Sequence, residues 1–260
     1  MRLDGKVAIV TGGSRGIGRA ICLGLGEAGA GVVVASRTEE DRSAGTQYEK
    51  YGSGDIRDTA AQITVRGGAA LAVRCDVARV EDIQNLVAAT LDHFGRIDAL
   101  VCNAGMDCES PVVDLDVDLL DQCLAVNVRG PLLLCKYALP SMIARGEGGS
   151  IYCVTSGSAR NYREGRVGYS MSKAALERMF FSLAEEVRPH NIAVNVFEPG
   201  RVDTWMNRRG DWPGTAHIPM VQPEALAPPG VWLAGQTAET LTGELVSRAE
   251  FGVTWGPQSQ

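Results

Sequence analysis

At 260 residues with 45% apolar side chains, the chain can bury a large core and stands near the upper size of one domain. A formal net charge of -6 and a pI near 5.2, with both signs mixed along the chain, leave no basic stripe for nucleic acid or an anionic membrane, so a small-molecule partner is expected. No run approaches the roughly 18 apolar residues of a membrane span, and the opening MRLDGKVAIV has no signal-peptide anatomy, so a soluble, unexported protein is expected.

In chain order, strands are predicted over VAIVT (7–11), VVVAS (32–36), ALAVRC (70–75), DALVC (98–102), SIYCV (150–154), IAVNVF (192–197) and TGELVS (242–247). Helical periodicity covers about 17–28, 56–66, 80–94, 117–144 with a break near Gly130 and Pro131, and 169–187. Continuous apolar strands alternating with helices imply an α/β fold, a doubly wound and mostly parallel seven-stranded sheet with helices on both faces. Nothing divides the chain, so residues 1–260 are expected to be one domain. Two segments break the regular alternation: a polar one over 36–55 and a Pro-rich one over about 201–230, the latter the candidate substrate loop. Seven cysteines, at 22, 75, 102, 108, 123, 135 and 153, are odd in number, lack CxxC spacing and lie mostly in apolar runs; reduced, buried thiols and a cytoplasmic location are expected.

Between the first strand and the first helix stand Gly12, Gly16 and Gly18, in a turn shared with Ser14, Arg15 and Ile17. Glycines allow a tight turn and close ligand approach, and the following helix offers free N–H groups to a pyrophosphate. Their GxxxGxG spacing departs from the usual GxGxxG, and a glycine-rich turn by itself is often only a connection; its place after the first strand favours the phosphate reading. The second strand ends at Ser36 and Arg37, without the carboxylate that often meets the ribose of NAD. Arg15 and Arg37 could grip a 2′-phosphate, which makes NADP(H) the preferred cofactor and NAD(H) the alternative. The competing reading is two solvated arginines neutralised by Glu39 and Glu40. Asp76 and Val77, after the third strand, are candidates for the adenine, although an aspartate there equally suits a helix cap. The small residues of CNAG, including Asn103, Ala104 and Gly105, would let backbone lie against a cofactor.

Tyr169 and Lys173, one turn apart in GYSMSK, share a helix face. A phenol ordinarily ionises near pH 10, and a cation held beside it favours the phenolate, the form a general base needs. By themselves the two could equally be a helix start and an outward lysine.

Taken together, TGGSRGIG (11–18), NAG (103–105), Asn127, Ser156, YxxxK (169–173) and PG (199–200) resemble the classical short-chain dehydrogenase/reductase family, in order over essentially the whole chain. The resemblance implies a single Rossmann-type domain, a homo-oligomer (tetramer or dimer), and hydride transfer between NAD(P) and an alcohol or carbonyl. It places Gly12, Gly16, Ile17 and Gly18 on the cofactor turn, Asp76 on the adenine contact, and Asn103 and Gly105 on the motif that supports the central strand and the cofactor. Asn127 matches the asparagine that bends a helix and holds a water, and Ser156 matches the catalytic serine, with Ser158 as second choice. Pro199 and Gly200 would shape the nicotinamide pocket, with the Val202 and Thr204 backbone or hydroxyl near the carboxamide. The polar segment after the second strand, with Gly45 and Thr46 and then DTAAQI (58–63), is similar to a hydroxysteroid dehydrogenase-like subgroup; the ending TGELVSRAEFGVTWG lacks the paired glycines of many ketoacyl reductases.

Two rival readings are a catalytically silent cofactor sensor or scaffold on the same fold, and a dehydratase or epimerase. The first would show by loss of Tyr169, Lys173 or Ser156, all present; the second usually needs a larger C-terminal region. Trp205, Met206, Trp212 and Met220 would give the substrate loop an apolar lining, or simply pin it to the body.

Overall fold

Near-continuous apolar runs can be strands only where both faces of the sheet are covered, and β1 (Val7–Thr11), β2 (Gly31–Ser36), β4 (Ala99–Cys102), β5 (Gly149–Val154) and β6 (Ile192–Glu198) are buried along almost their whole length. With β3 (Ala69–Arg74) and β7 (Leu245–Ser247) they form one parallel sheet of order β3-β2-β1-β4-β5-β6-β7. This computed structural model describes residues 1–39, 54–162, 164–208 and 219–257; Glu40, Gly45, Thr46 and Trp212, invoked above, lie outside them.

Strand alternation sorts the core into two layers. Val7, Ile9, Val33, Leu100 and Ile151 face α3 (Val80–Phe94), α5 (Gly130–Arg145) and α6 (Val167–Val187), where Leu86, Leu134 and Phe180 meet them. Ala8, Val10, Val32, Val101 and Tyr152 face the other way, onto α1 (Gly16–Glu27), α2 (Ile56–Val65) and α8 (Ala227–Ala234), with Ile21, Ile63 and Val231. Two polar groups of β5 pin α8: Ser150 Oγ donates to Leu233 O at 2.7 Å and Tyr152 Oη to Gly230 O at 3.1 Å.

The structure sharpens three boundaries of the sequence reading. The break expected near Gly130 and Pro131 takes the form of a π-turn: α4 (Val117–Leu124) runs into it over Ala125–Arg129, and α5 begins at Gly130 with Pro131 in its first turn. Proline is compatible there because the π-turn, closed by Gly130 N donating to Ala125 O, interrupts the regular i→i−4 ladder just before it. The last residues of the Pro-rich segment, Ala227–Gly230, open α8 rather than extend a loop. Finally, β7 is three residues long, since Thr242 is drawn off by the hydrogen bond its Oγ1 accepts from Val194 N at 3.0 Å.

Strand order reverses between β1 and β4, so their C-terminal ends open a crevice at a topological switch point, the usual ligand position in such sheets.

Candidate active site

The crevice is floored by the turn after β1. Gly12 has φ +69°, and a Cβ on Gly18 would stand 2.2 Å from Gly12 O and 2.5 Å from Asn103 Nδ2. Asn103 Nδ2 donates to Thr11 O at 2.9 Å and Gly12 O at 3.3 Å, and Thr11 Oγ1 accepts from the amides of Asn103 and Ala104 at 3.1 Å. Asn103 therefore braces the turn rather than facing a ligand, and Thr11, which the sequence reading passed over, is the hub of the brace. Helix α1 opens with no side-chain cap and no acidic residue in its first turn, so its N–H groups remain the positive end presented to the crevice. A cradle that excludes any Cβ, ahead of an uncapped helix N-terminus, fits a pyrophosphate.

Buried Ser14 accepts a hydrogen bond from Ser36 Oγ at 3.1 Å, joining the turn to the end of β2. Arg15 and Arg37 are exposed; Glu39 lies 3.7 Å from Arg57. Arg15 lies 5.6 Å from the ring centroid of Trp205, on the short helix α7 (Trp205–Arg208), and the Thr204 methyl is 3.2 Å from where a Cβ on Gly16 would stand. Ile17 is half-buried at the start of α1. Asp76 Oδ1 accepts from Ala78 N at 3.0 Å, a local turn, while Val77, Ala104 and Val126 line one small apolar niche beside Thr11. Gly200 is exposed, whereas Pro199 is buried and its carbonyl accepts from Arg248 Nε at 3.2 Å. Val202 is fully buried in the core and pairs with Val221, closing the root of the loop; only its backbone can face the crevice.

Across the crevice, α6 presents Tyr169 and Lys173, both buried, with Lys173 Nζ 5.8 Å from the Tyr169 ring centroid. Lys173 Nζ donates to Val154 O at 2.9 Å, which turns the ammonium inward to the end of β5, contrary to an outward lysine. Gly105 is close to both Lys173 and Asn127: a Cβ there would stand 3.6 Å from Lys173 Nζ and 3.4 Å from Asn127 Oδ1. Asn127, in the π-turn, is fully buried; its Oδ1 accepts from Met106 N and its Nδ2 donates to Met106 O and Ser172 Oγ, each at 2.9 Å. Ser172 Oγ passes the chain on to Tyr169 O at 2.7 Å. Half-buried Ser156 caps a short 3-10 turn, its Oγ accepting from the amide of buried Ser158 at 3.2 Å.

Residues absent from the sequence reading complete the wall. Thr155, just after β5, donates to buried Glu177 at 2.6 Å; Arg160 donates to the same carboxylate at 2.5 Å and also to Glu198, so one guanidinium joins the end of β6 to the face of α6. Arg166 lies over the Tyr169 ring, its Cζ 4.4 Å from the centroid, and is held by Asp107. Nothing in a one-dimensional reading ties Asp107 to Arg166, 59 positions apart. All seven cysteines are free and buried. Burial pushes the Cys108 and Cys123 thiols, behind Tyr169 and Asn127, above the ordinary range and Cys75 up to about 12. Such thiols stay protonated near neutrality and are poor nucleophiles.

A doubly wound sheet with a glycine cradle at its switch point, and a buried Tyr–Lys pair on the opposite wall, defines a Rossmann-type oxidoreductase. The short chain dehydrogenase family profile matches residues 6–211, and the chain belongs to that family. It is 32% identical over 251 residues to an L-rhamnose 1-dehydrogenase (NAD(P)(+)) of Sphingomonas sp. (strain SKA58), covering 93% of each chain. Among solved structures, a Serratia marcescens short-chain dehydrogenase/reductase variant superposes with TM-score 0.83 at 34% identity, covering 95% of this chain and 97% of that one. A metagenomic short-chain oxidoreductase in complex with NADP gives TM-score 0.76 at 31% identity, covering 94% and 97%.

Proposed function

We propose that this oxidoreductase prefers NADP(H) and interconverts a secondary alcohol and a ketone or other carbonyl, with Tyr169 as acid and base. The observation that carries the reading is the inward Lys173 ammonium, bound to Val154 O beside the Tyr169 ring at the edge of the crevice. A bound nicotinamide supplies hydride chemistry, and the protein supplies orientation and a proton path. Gly12, Gly16, Ile17 and Gly18 with the α1 N-terminus would hold the pyrophosphate, Asp76 and Val77 the adenine, and the backbone at Gly105, Gly200, Val202 and Thr204 the nicotinamide side.

In the oxidative direction Tyr169 Oη takes the hydroxyl proton of the alcohol; in reduction it returns a proton to the carbonyl oxygen. Ser156, whose Oγ accepts from Ser158 N, keeps its own O–H hydrogen for the reacting oxygen. The side chain of Asn127 is committed to Met106 and Ser172, so the water that links Lys173 to solvent would sit at the backbone of the widened π-turn rather than on the amide. Exposed Arg15 and Arg37, with no carboxylate at the end of β2, favour a 2′-phosphate over a bare ribose. Trp205 and Met206 would line the substrate side of the loop after Gly200, which suits a moderately hydrophobic substrate. Exposed apolar side chains on α4 and α6, Val117 and Met171, are surface that a second copy would cover in a dimer or tetramer.

Tyr169→Phe keeps the ring and removes the acid. Expected is a fall in turnover of about a thousandfold, the middle of the range for general acid–base catalysis, with the Kd for NADPH within about twofold of wild type. Near-normal turnover of a ketone panel by this variant would remove the mechanism. Kinetics with NADPH against NADH test the cofactor: kcat/KM should favour NADPH, and Arg15→Ala with Arg37→Ala should erase that preference while leaving the NADH value little changed.

A further inference from the structure

Arg166 closes the turn before Tyr169 and is itself held through both its backbone and its guanidinium. Its carbonyl accepts from Ser170 N at 2.8 Å, fixing it at the N-terminus of α6, and its Nη2 donates to both Asp107 oxygens at 2.7 Å. The loop bearing Asp107 is fixed in turn: Met106 is bonded through N and O to Asn127, and Ser110 N donates to Gly165 O at 2.8 Å. At Gly168, a Cβ would stand only 2.9 Å from Cys108 Sγ, so loop and helix are in close contact. Arg166 is 5% exposed and carries its guanidinium 4.4 Å from the Tyr169 centroid, closer than the ammonium of Lys173 at 5.8 Å.

A phenol in the first turn of a helix can swing about χ1 and χ2, and a proton-transfer group gains from being held in one geometry. A planar guanidinium against an aromatic ring supplies both contact area and cation–π attraction. With its charge already met by Asp107, Arg166 is poorly suited to binding an anionic substrate. We propose that Arg166, clamped by Asp107, is a positioning residue that fixes the Tyr169 ring for proton transfer; the inference rests on the acid–base role assigned to Tyr169 above.

The test uses full-length protein with 13C-labelled tyrosine rings, the Tyr169 resonance being the one missing from Y169F among six tyrosines. In R166M that resonance should move and broaden while the others stay. The kcat should fall about tenfold or more with the KM for NADPH within about twofold, the pattern of a misplaced catalytic group. R166K should recover only part of kcat, because an ammonium cannot lie flat on the ring. R166M leaves Asp107 without its guanidinium, so the neutral pair D107N/R166Q guards against misfolding, and it should be no slower than R166Q alone because the two residues act as one unit. An unmoved Tyr169 resonance in both R166M and the neutral pair, or full recovery of kcat by R166K, overturns the proposal, even if the melting temperature falls. Wild-type protein idle with every alcohol and carbonyl supplied would instead overturn the acid–base reading, and the labelled spectrum would still decide the clamp.

Discussion

A methyl group on Gly18 would meet a backbone oxygen, Gly12 O, at 2.2 Å, and no side-chain rearrangement relieves a backbone clash. Gly18→Ala must therefore push α1 away from the turn after β1. Overpacking of this kind costs about 1–3 kcal/mol, which urea denaturation would read as a lower midpoint at unchanged slope. The same displacement spoils the N–H cradle, so NADPH affinity in a direct binding titration should fall about tenfold or more. An unaltered affinity would show that the cradle does not hold the pyrophosphate. At this scale the sequence was informative where chemistry is local: the glycines, Tyr169 and Lys173 occupy one crevice wall or the other. It was silent on what faces them: Arg160 meets Glu177 across 17 positions and Arg166 meets Asp107 across 59.

Helix α6 combines two tasks on two faces. Tyr169, Lys173 and Glu177, spaced by four, line the crevice side, while Leu176, Phe180 and Leu183 pack into the sheet. Phe180 is among the largest fully buried side chains, and Phe180→Ala should cost about 3–5 kcal/mol, measured by chemical denaturation. Because the helix carries the acid–base pair, kcat of the folded fraction should fall as well; a stability loss with intact kcat would show that crevice and core faces are uncoupled. The π-turn over Ala125–Arg129 lies just ahead of the break read near Gly130 and Pro131, and it contains Asn127, the residue the family resemblance gives as bending a helix. Gly130 and Pro131 advertise a break by their own preferences, but the widened turn is held by Asn127 bonding to Met106 and Ser172, partners no local window contains. Helix α8 was hidden in the same way, its opening prolines reading as loop until Ser150 and Tyr152 of β5 are seen to anchor it.

At the far end of the sheet from the crevice, Asp98 ties the body together. It accepts from Val7 N at 2.9 Å and Arg96 at 2.8 Å, with Arg145 at 3.2 Å and Lys6 at 3.4 Å. Burial alone would raise this carboxyl, but the hydrogen bonds from Arg96 and Val7 and the charge of Arg145 hold it below the usual carboxylate range. A depressed carboxyl contributes its stability in full above the unfolded value near 3.9 and loses it as pH falls through the lower folded value. Unfolding free energy measured against pH should therefore drop in that acid window. Asp98→Asn should flatten the drop and cost about 3 kcal/mol at neutral pH, since it leaves cations without their counter-charge. A pH profile below pH 4 identical to that of wild type would show that Asp98 does not set the acid limit. No helix among the described residues is long and apolar enough to cross a membrane.

The parallel α/β architecture, the approximate positions of seven strands, the glycine turn and the family were legible in the chain alone. Each is written in local periodicity or in short motifs whose spacing is set by backbone geometry. The tertiary structure alone decided that Asn103 braces the turn instead of facing a ligand, that Val202 is core, that the lysine points inward, and that an Arg–Asp pair from two distant segments bears on the Tyr169 ring. Those facts depend on which side chains the sheet order brings together, and a chain read in one dimension carries no record of such neighbours.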